Sequence, residues 1–348
     1  MPKPRQLHPF YNFDKIMSFN AVYNFLCGAR GLGKTFGAKE IAIRDAIKTG
    51  GEFIYVRRYL TELRRAKASF FADIEHKFPE WDFRVHGNEA HMSHVTARDD
   101  KKREWTLIGY FIALSSSNSY KSVSFPLVKN VLFDEFIAEK GTNYLSDEAD
   151  QFNNFYSTVD RYQSRTRVFF LSNAVSINNP YFLAYDIEPD KGKEFTQYAK
   201  NRKSGRAFIV AHFPEASDFK NSVFDTEFGS FIEGTSYADY AVNNAFADNH
   251  ENLIKVKNSK ARYQYSLETP KLTVSVWYDI RNDEYYIQKK RAKDELLFTL
   301  LIENVDADTT FIAMNDKRLQ YLRTSYNQGR VHYDHPKTRN SFIQIFRR

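Results

Sequence analysis

Short apolar runs alternate with amphipathic stretches along the first two hundred residues of the chain. This alternation is typical of an α/β layer fold, in which helices cover a parallel sheet. The predicted strands are Val22–Cys27, Phe53–Arg57, Thr106–Leu114, Leu127–Asp134, Val168–Ser172 and Phe208–His212. The predicted helices are Lys34–Lys48, Thr61–Phe78 and Asp147–Tyr162.

The pattern changes after about residue 190. The stretch Lys191–Arg206 is basic and poor in aliphatic residues, which predicts an exposed loop, and residues 214–249 show no strong period and predict a small connecting segment. Further strands are predicted at Tyr263–Leu267, Leu272–Tyr278 and Tyr285–Gln288, and a helix at Phe311–Tyr326. Because Arg281, Asn282 and Asp283 separate the last two strands, we expect a hairpin there. The last hundred residues are predicted to be α+β.

Composition narrows the class of protein. A chain of 348 residues is long enough for two domains, and 42% hydrophobic residues suffice for packed cores. The net charge of +7 favours a polyanionic partner. Cys27 is the single cysteine, which excludes a disulfide framework and a cysteine-based zinc site. Neither a signal peptide in Met1–Phe10 nor a membrane span is predicted, so we expect a soluble intracellular protein.

A complete phosphate-binding motif follows the first predicted strand. Its eight residues, G-x-x-x-x-G-K-T, are Gly28, Ala29, Arg30, Gly31, Leu32, Gly33, Lys34 and Thr35. The glycines let main-chain N–H groups surround phosphates at a helix N-terminus, while Lys34 neutralises them and Thr35 binds Mg²⁺. A chance match in a chain of this length has a probability of about 1%. The alternative, a glycine-rich turn with a solvated lysine, leaves the preceding strand and following helix unexplained.

Two carboxylates end the apolar run Val131–Phe133. In P-loop enzymes the aspartate that organises Mg²⁺ lies at the end of such a strand, which is Asp134 here. Glu135 comes next, where a general base can activate water, so hydrolysis of ATP is expected. A helix cap or a solvated strand end is the ordinary meaning of such a pair, but here it stands about a hundred residues after a complete phosphate loop.

Polar residues also close the strand Val168–Ser172. Either Ser172 or Asn173 is a candidate to sense the γ-phosphate, against the alternative of an ordinary turn. Three arginines precede the strand, and one of them is a candidate to act on the nucleotide of a neighbouring subunit. They are Arg161, Arg165 and Arg167. Arg30 is a candidate for a phosphate contact or a structural ion pair.

Two other groups of residues are weighed as metal sites. His86, His91 and His94 lie close together in a predicted hairpin and are interpreted as solvated. The acidic residues near the C-terminus fit a two-metal nuclease in principle, but most fall in predicted turns. They are Asp279, Asp283, Glu284, Asp306 and Asp308.

Several segments together resemble a known family. They are GARGLGKT, FIYVRRY at 53–59, VLFDEF at 131–136, TVDRYQSRTRVFFLSNAVSINNPYF at 158–182 and FIEGTSY at 231–237. In this combination the chain resembles the DNA-packaging motor ATPases of small, protein-primed, short-tailed phages, and the resemblance weakens over 306–346. The ATP motifs are generic, whereas LSNAV followed by NPYF, with FIYVRRY, is specific to this group.

The resemblance implies a fold and a set of partners. It implies an ASCE-type P-loop ATPase domain at 1–210, a small linker domain at 211–249, and an RNase H-like domain, vestigial as a nuclease, at 250–348. It further implies a homomeric, pentameric ring that uses Mg²⁺ and ATP to translocate double-stranded DNA into an empty capsid. The ring would act in the host cytoplasm while docked at the portal vertex, with a structural RNA left open and no membrane partner.

The resemblance also implies roles for residues. Lys34 and Thr35 hold the phosphates and the metal, Asp134 holds Mg²⁺, Glu135 activates water, Arg161 is the trans-acting finger and Asn173 is the polar residue at the strand end. Where the family can carry a lysine in the lid this chain has Leu60, so Arg57 and Arg58 are the basic substitutes. Arg98–Arg103 and Lys121 are candidates to face DNA.

Three other functions remain open from the sequence. A helicase or another DNA-dependent ATPase uses the same motifs. A nuclease needs a compact acidic group in the C-terminal part. A basic nucleic-acid-binding protein could hold its nucleotide as a structural element only.

Overall fold

The computed structural model describes residues 10–97, 103–139, 142–173, 179–187, 194–200, 205, 207–214, 216–243, 253–270, 272–289 and 296–346. The chain divides into two compact units, Met1–Asp248 and Asn249–Arg348. The three-part division at 210 and 249 stays a prediction.

A nine-stranded sheet forms the centre of the first unit. Its strands are β1 Tyr23–Cys27, β2 Glu52–Arg57, β3 Trp81–His86, β4 Glu89–His94, β5 Thr106–Ala113, β6 Val128–Asp134, β7 Arg167–Ser172, β8 Phe195–Lys200 and β9 Ala207–His212. Their order is β3-β4-β5-β2-β6-β7-β1-β9-β8, and neighbours from β5 to β9 are parallel. The strands β3, β4 and β8 are antiparallel additions at the two edges. The predicted mostly parallel α/β sheet is confirmed.

Helices cover both faces of this sheet. The α-helices described in this unit are α1 Asp14–Ser18, α2 Lys34–Thr49, α3 Leu60–Ala68, α4 Glu148–Asp160, α5 Pro180–Tyr185, α6 Ser217–Phe224, α7 Glu227–Ile232 and α8 Ser236–Ala241. On one face Phe53 and Phe169 share a buried cluster with Ile43 of α2. On the other face Phe133 packs with Phe152 of α4. Burial on both faces explains why the central strands are continuous apolar runs.

Two predictions in this unit were wrong in part. The predicted helix Thr61–Phe78 ends at Ala68, and the buried Phe70, Phe71 and Ile74 then follow turns rather than a helix. The predicted loop Lys191–Arg206 contains strand β8, whose polar sequence suits an edge position paired only with β9. The hairpin predicted around the three histidines is confirmed as β3 and β4.

A six-stranded mixed sheet forms the second unit. Its elements are β10 Arg262–Glu268, β11 Thr273–Asp279, β12 Glu284–Gln288, β13 Leu297–Thr299, β14 Thr309–Phe311, α9 Lys317–Asn327, β15 Val331–Tyr333 and α10 Pro336–Phe342. The sheet order is β14-β13-β10-β11-β12-β15. The hairpin predicted between β11 and β12 is confirmed. The predicted helix Phe311–Tyr326 begins later, because Phe311 ends a strand.

None of the helices in the described ranges combines the length and the apolar character that crossing a bilayer requires.

Candidate active site

The phosphate-binding motif forms the turn between β1 and α2. Gly31 and Gly33 have φ of 84° and 81°, the left-handed region that disfavours side chains. A Cβ at Gly33 would also lie 2.5 Å from the ring of Phe10. At the start of α2 the N–H groups of Lys34 and Thr35 have no intrahelical acceptor. The turn therefore offers main-chain donors to an anion at the positive end of a helix.

The Lys34 side chain is buried inside this turn. Its Nζ donates to the carbonyl oxygens of Gly28 at 2.9 Å and Ala29 at 2.7 Å, and to Oδ1 of Asn173 at 3.2 Å. Burial lowers the pKa of Lys34 to about 8, which Cys27 and Asp134 partly oppose. A phosphate oxygen beside this ammonium would supply the counter-charge that the turn itself does not.

Asp134 joins the end of β6 to the phosphate loop. The Thr35 hydroxyl donates to Asp134 Oδ1 at 2.8 Å. The other oxygen, Oδ2, accepts from the Tyr55 hydroxyl at 2.7 Å and from Arg57 at 3.2 Å. A hydroxyl and a carboxylate side by side are the hard oxygen ligands that Mg²⁺ prefers, so the residues present fit the ion. The sequence motifs alone did not reveal Tyr55.

Glu135 stands at a strained position directly after β6. Its φ is 55°, and the next N–H, of Phe136, donates to Leu171 O on β7 at 3.3 Å. This bond fixes the backbone directly after Glu135. Burial raises the pKa of the Glu135 carboxyl, while Arg57, which forms an ion pair with it, opposes the shift. Arg57 thus holds both carboxylates.

The adjacent Arg58 has a different role from the one the sequence suggested. Its side chain is buried, its Nε lies 2.7 Å from Glu148 Oε2, and its Nη2 donates to Phe136 O at 2.6 Å. The Tyr181 hydroxyl donates to the other oxygen of Glu148 at 2.8 Å. Arg58 is therefore a buried residue of the core and not a lid residue. Arg57, in contrast, contacts the carboxylates of Asp134 and Glu135.

The end of β7 meets the phosphate loop from the other side. Because β7 lies between β1 and β6, its last residues are adjacent to both motifs. The N–H of Gly28 donates to Ser172 O at 3.2 Å, and Asn173 contacts Lys34. Of the two polar candidates, Asn173 has its side chain in the site, while the Ser172 side chain is buried.

Two of the three candidate arginines are engaged within their own unit. Arg165 donates to the carbonyl oxygens of Phe125 at 2.8 Å and Val159 at 3.1 Å. Arg167 donates to Asn20 Oδ1 at 3.2 Å. These contacts position β7 against its neighbours, and both arginines are partly buried.

Arg161 is exposed on a loop of defined shape. Its guanidinium makes one long hydrogen bond, of 3.4 Å, to Val123 O. It directly follows the last residue of α4 and has a φ of 49°, and the buried Asp160 carboxylate accepts the N–H groups of residues 164–166 at 2.8 to 3.0 Å. The next residue, Tyr162, is 91% exposed. The Asp160 carboxylate therefore fixes the shape of a loop on which Arg161 and Tyr162 are exposed.

The remaining candidates lie elsewhere. Residues 98–102 fall outside the described part of the chain, and Arg103 is paired with Asp82 at 2.5 Å rather than open to DNA. Lys121 is exposed. Within the described ranges, no group of three or more His, Cys, Asp or Glu side chains is arranged to hold a metal ion. The Arg30 side chain is exposed.

Comparisons with known proteins agree with one family. Residues 6–348 match the family described as Podovirus DNA encapsidation protein (Gp16). The DNA packaging protein of Bacillus phage phi29 is 32% identical over 343 residues, which is 97% of each chain.

Two solved structures extend the comparison. The bacteriophage phi29 genome packaging motor assembly matches with a TM-score of 0.75 and 32% identity, covering 97% of this chain and 99% of that one. The N-terminal domain of the phi29 DNA packaging ATPase matches with a TM-score of 0.52 and 37% identity, covering 60% and 98%. With the whole sequence and the fold in agreement, this chain belongs to the podovirus DNA encapsidation protein family.

Proposed function

We propose that this protein is the ATP-hydrolysing subunit of a motor that moves double-stranded DNA into a preformed phage capsid. The hydrogen bond between Thr35 and Asp134 carries the proposal, because it joins the phosphate loop to the metal-binding strand. Family membership supports the choice of DNA packaging over a helicase with the same motifs.

Each residue of the site has a step in hydrolysis. The main-chain N–H groups from Gly31 to Thr35 and the Lys34 ammonium bind the β- and γ-phosphates. Thr35 and Asp134 would hold Mg²⁺, which neutralises charge that develops on the phosphates. Glu135 takes a proton from the attacking water once Arg57 has released it, and Asn173 orients Lys34.

Arg161 completes the site of a neighbouring subunit. It supplies positive charge to the transferring phosphate, where a trans-acting arginine typically contributes 10³ to 10⁵ in turnover. A homo-oligomeric ring, pentameric as the resemblance implies, places each Arg161 at the next active site. Such a ring docks at the portal of a procapsid in the host cytoplasm, with a structural RNA as a further candidate partner.

The second unit is proposed to be RNase H-like. Its strands β10, β11 and β12 are antiparallel, β13 is parallel to β10 and β14 to β13, giving the order β14-β13-β10-β11-β12 with β15 added. The inner strand β10 carries its single acid, Glu268, at its last residue, and β13 carries none. This distribution favours DNA or capsid contact over cleavage.

Replacing Arg161 tests the proposal. We expect Arg161→Ala to lose at least 10³ in ATP turnover while nucleotide affinity stays nearly unchanged, because the arginine acts from outside its own site. Arg167→Ala is the matched control and keeps its turnover. Phosphate release is measured with procapsids and DNA present, alongside packaging and strand-displacement assays.

Mixed rings give the decisive comparison. Arg161→Ala subunits retain a phosphate site, and Lys34→Ala subunits retain an arginine, so mixing them restores part of the turnover. Normal turnover in Arg161→Ala rings, or strand displacement without packaging, would contradict the proposal.

A further inference from the structure

The phosphate loop is contacted by two helices of the segment α6–α8, namely α6 and α8. Ala29 and Leu32 project from the loop and are buried, and the ring of Phe219 in α6 packs on both. Phe219 itself is 2% exposed. Val223, one turn further along α6, extends the same cluster. The loop residues Ala29 and Leu32 are therefore packed against α6.

A main-chain hydrogen bond provides a second, independent contact. The N–H of Arg30 donates to the carbonyl oxygen of Ala241, the last residue of α8, at 2.8 Å. A Cβ at Gly31 would lie 3.5 Å from the Phe219 ring, which shows how closely the backbone and the ring approach. Both ends of the helical segment thus touch the loop between residues 29 and 32.

The three helices also pack on one another. Ile232, Ala238, Ala241 and Val242 form a small buried cluster of their own. Gly229 permits the close approach of α7 to α6, because a Cβ there would lie 1.8 Å from Val223 O. A displacement of α6 is therefore passed to α7 and α8 rather than absorbed between them.

We propose that Phe219 is a positioning residue of the phosphate loop and that nucleotide binding is coupled through it to helices α6–α8. The inference rests on the proposed use of the loop as an ATP site. The packing of the Phe219 ring and the Arg30–Ala241 hydrogen bond can each be made in only a few arrangements. The conformation that the loop adopts around phosphates and the position of the helices therefore depend on each other. Because such coupling is reciprocal, a helix position that raises the affinity for nucleotide is itself stabilised, to the same extent, when nucleotide binds.

Through this coupling, nucleotide binding acts on helices α6–α8 in the proposed motor. In the sequence these helices stand directly before the second unit, and the second unit begins at Asn249. A change of nucleotide state in the loop therefore reaches the segment that leads into that unit. The family-like run at 231–237, which the catalytic site does not use, belongs to this segment.

The first experiment compares two phenylalanines of the same segment. Phe219→Ala removes the ring on the loop, while Phe228→Ala removes a ring that is 61% exposed on α7. We expect the Kd for a non-hydrolysable ATP analogue to rise about tenfold for Phe219→Ala and to stay unchanged for Phe228→Ala. At saturating nucleotide the kcat of Phe219→Ala stays within about twofold of wild type, and Phe219→Met restores the affinity.

The second experiment measures hydrogen exchange in the full chain. In the wild type the analogue slows exchange of the N–H groups of 217–241, and in Phe219→Ala at saturating analogue this slowing is lost. If the exchange rates of residues 217–241 in the wild type do not change when the analogue binds, the inference is overturned. This result needs no variant, so it holds even if a variant fails to fold. Equal affinities for the two alanine variants overturn it as well. If the wild type does not bind the analogue at all, or Lys34→Ala binds it equally well, the proposed ATP site fails instead.

Discussion

The two sheets of this molecule differ in how their polar side chains are arranged. In the first sheet, three adjacent parallel strands, β1, β7 and β6, end at the same edge, so the residues that follow them converge. Asn173 lies within hydrogen-bond reach of Lys34, and Asp134 within reach of Thr35, although these residues come from segments far apart in sequence. Parallel strands with ligand-binding loops at their carboxyl ends are the usual origin of such a site.

In the second sheet two acids, Asp279 and Glu284, are bound by side chains near them. Asp279 accepts hydrogen bonds from Asn258 at 2.5 Å and from the side chain of Asn282 at 2.8 Å, and so closes the β11–β12 turn. Glu284 accepts from Tyr286 at 2.7 Å and lies 3.1 Å from His332 Nε2. Acids that organise turns and strand edges are not grouped for two metal ions. The alternative of a two-metal nuclease therefore finds no support among the described residues.

The largest expected effect separates one glutamate in each sheet. Glu135→Gln removes the general base and lowers kcat for ATP by 10² to 10⁴, with nucleotide still bound. Glu284→Gln, the same change in the second sheet, leaves kcat unaltered. Steady-state phosphate release measures both. A Glu135→Gln enzyme with near-normal kcat would remove Glu135 from the mechanism.

A smaller effect is expected from pH. Lys34 in the nucleotide-free protein has a pKa of about 8 because of burial, and bound phosphates raise it, so binding takes up a proton above that value. Affinity for a non-hydrolysable ATP analogue is then full below pH 8 and falls by up to about tenfold per pH unit above it. Calorimetric titration at pH 7, 8 and 9 checks this.

In the nucleotide-free protein, the contribution of Lys34 to stability should rise with pH, whereas the affinity for the analogue falls. Unfolded Lys34 has a pKa near 10.4 and binds more protons than the folded form between pH 8 and 10. The contribution of Lys34 to the free energy of unfolding therefore rises with pH in this window. Lys34→Met removes this contribution, so the difference between wild type and variant must depend on pH. A constant difference from pH 7 to 10 contradicts the buried ammonium.

The smallest effect is expected at Asp279. Asp279→Ala leaves the side-chain N–H groups of Asn258 and Asn282 without their acceptor, so the thermal midpoint of the second unit falls by a few degrees. ATP turnover is unchanged, because this acid has no part in the chemistry. Differential scanning calorimetry with a parallel ATPase assay tests both statements. Loss of ATP turnover in a folded Asp279→Ala protein would contradict the statement that this acid of the second sheet has no part in the chemistry.

The sequence was sufficient where local pattern and chemistry agree. The central strands were predicted within one residue at each end, because runs buried on both faces are continuously apolar. The phosphate loop and Asp134 followed from motif spacing, and the structure places them in contact. Their catalytic roles stay predictions.

Contacts between distant segments were not predictable in this way. Phe219 lies in no motif, and the run FIYVRRY that contains Tyr55 did not single this tyrosine out. The importance of both residues comes from the strand or loop that folding places beside them. Arg57 and Arg58 are adjacent and identical in type, yet one reaches the carboxylates and the other is buried against Glu148. Strand β8 was missed because an edge strand of polar residues lacks the apolar pattern.

The account depends most on a single nucleotide–metal site made by the phosphate loop and the end of β6. Calorimetric titration of a non-hydrolysable ATP analogue, with and without Mg²⁺, tests it in the wild type and in Asp134→Asn. The account predicts that Mg²⁺ strengthens binding to the wild type and has little effect on Asp134→Asn. Equal strengthening by Mg²⁺ in both proteins would contradict it.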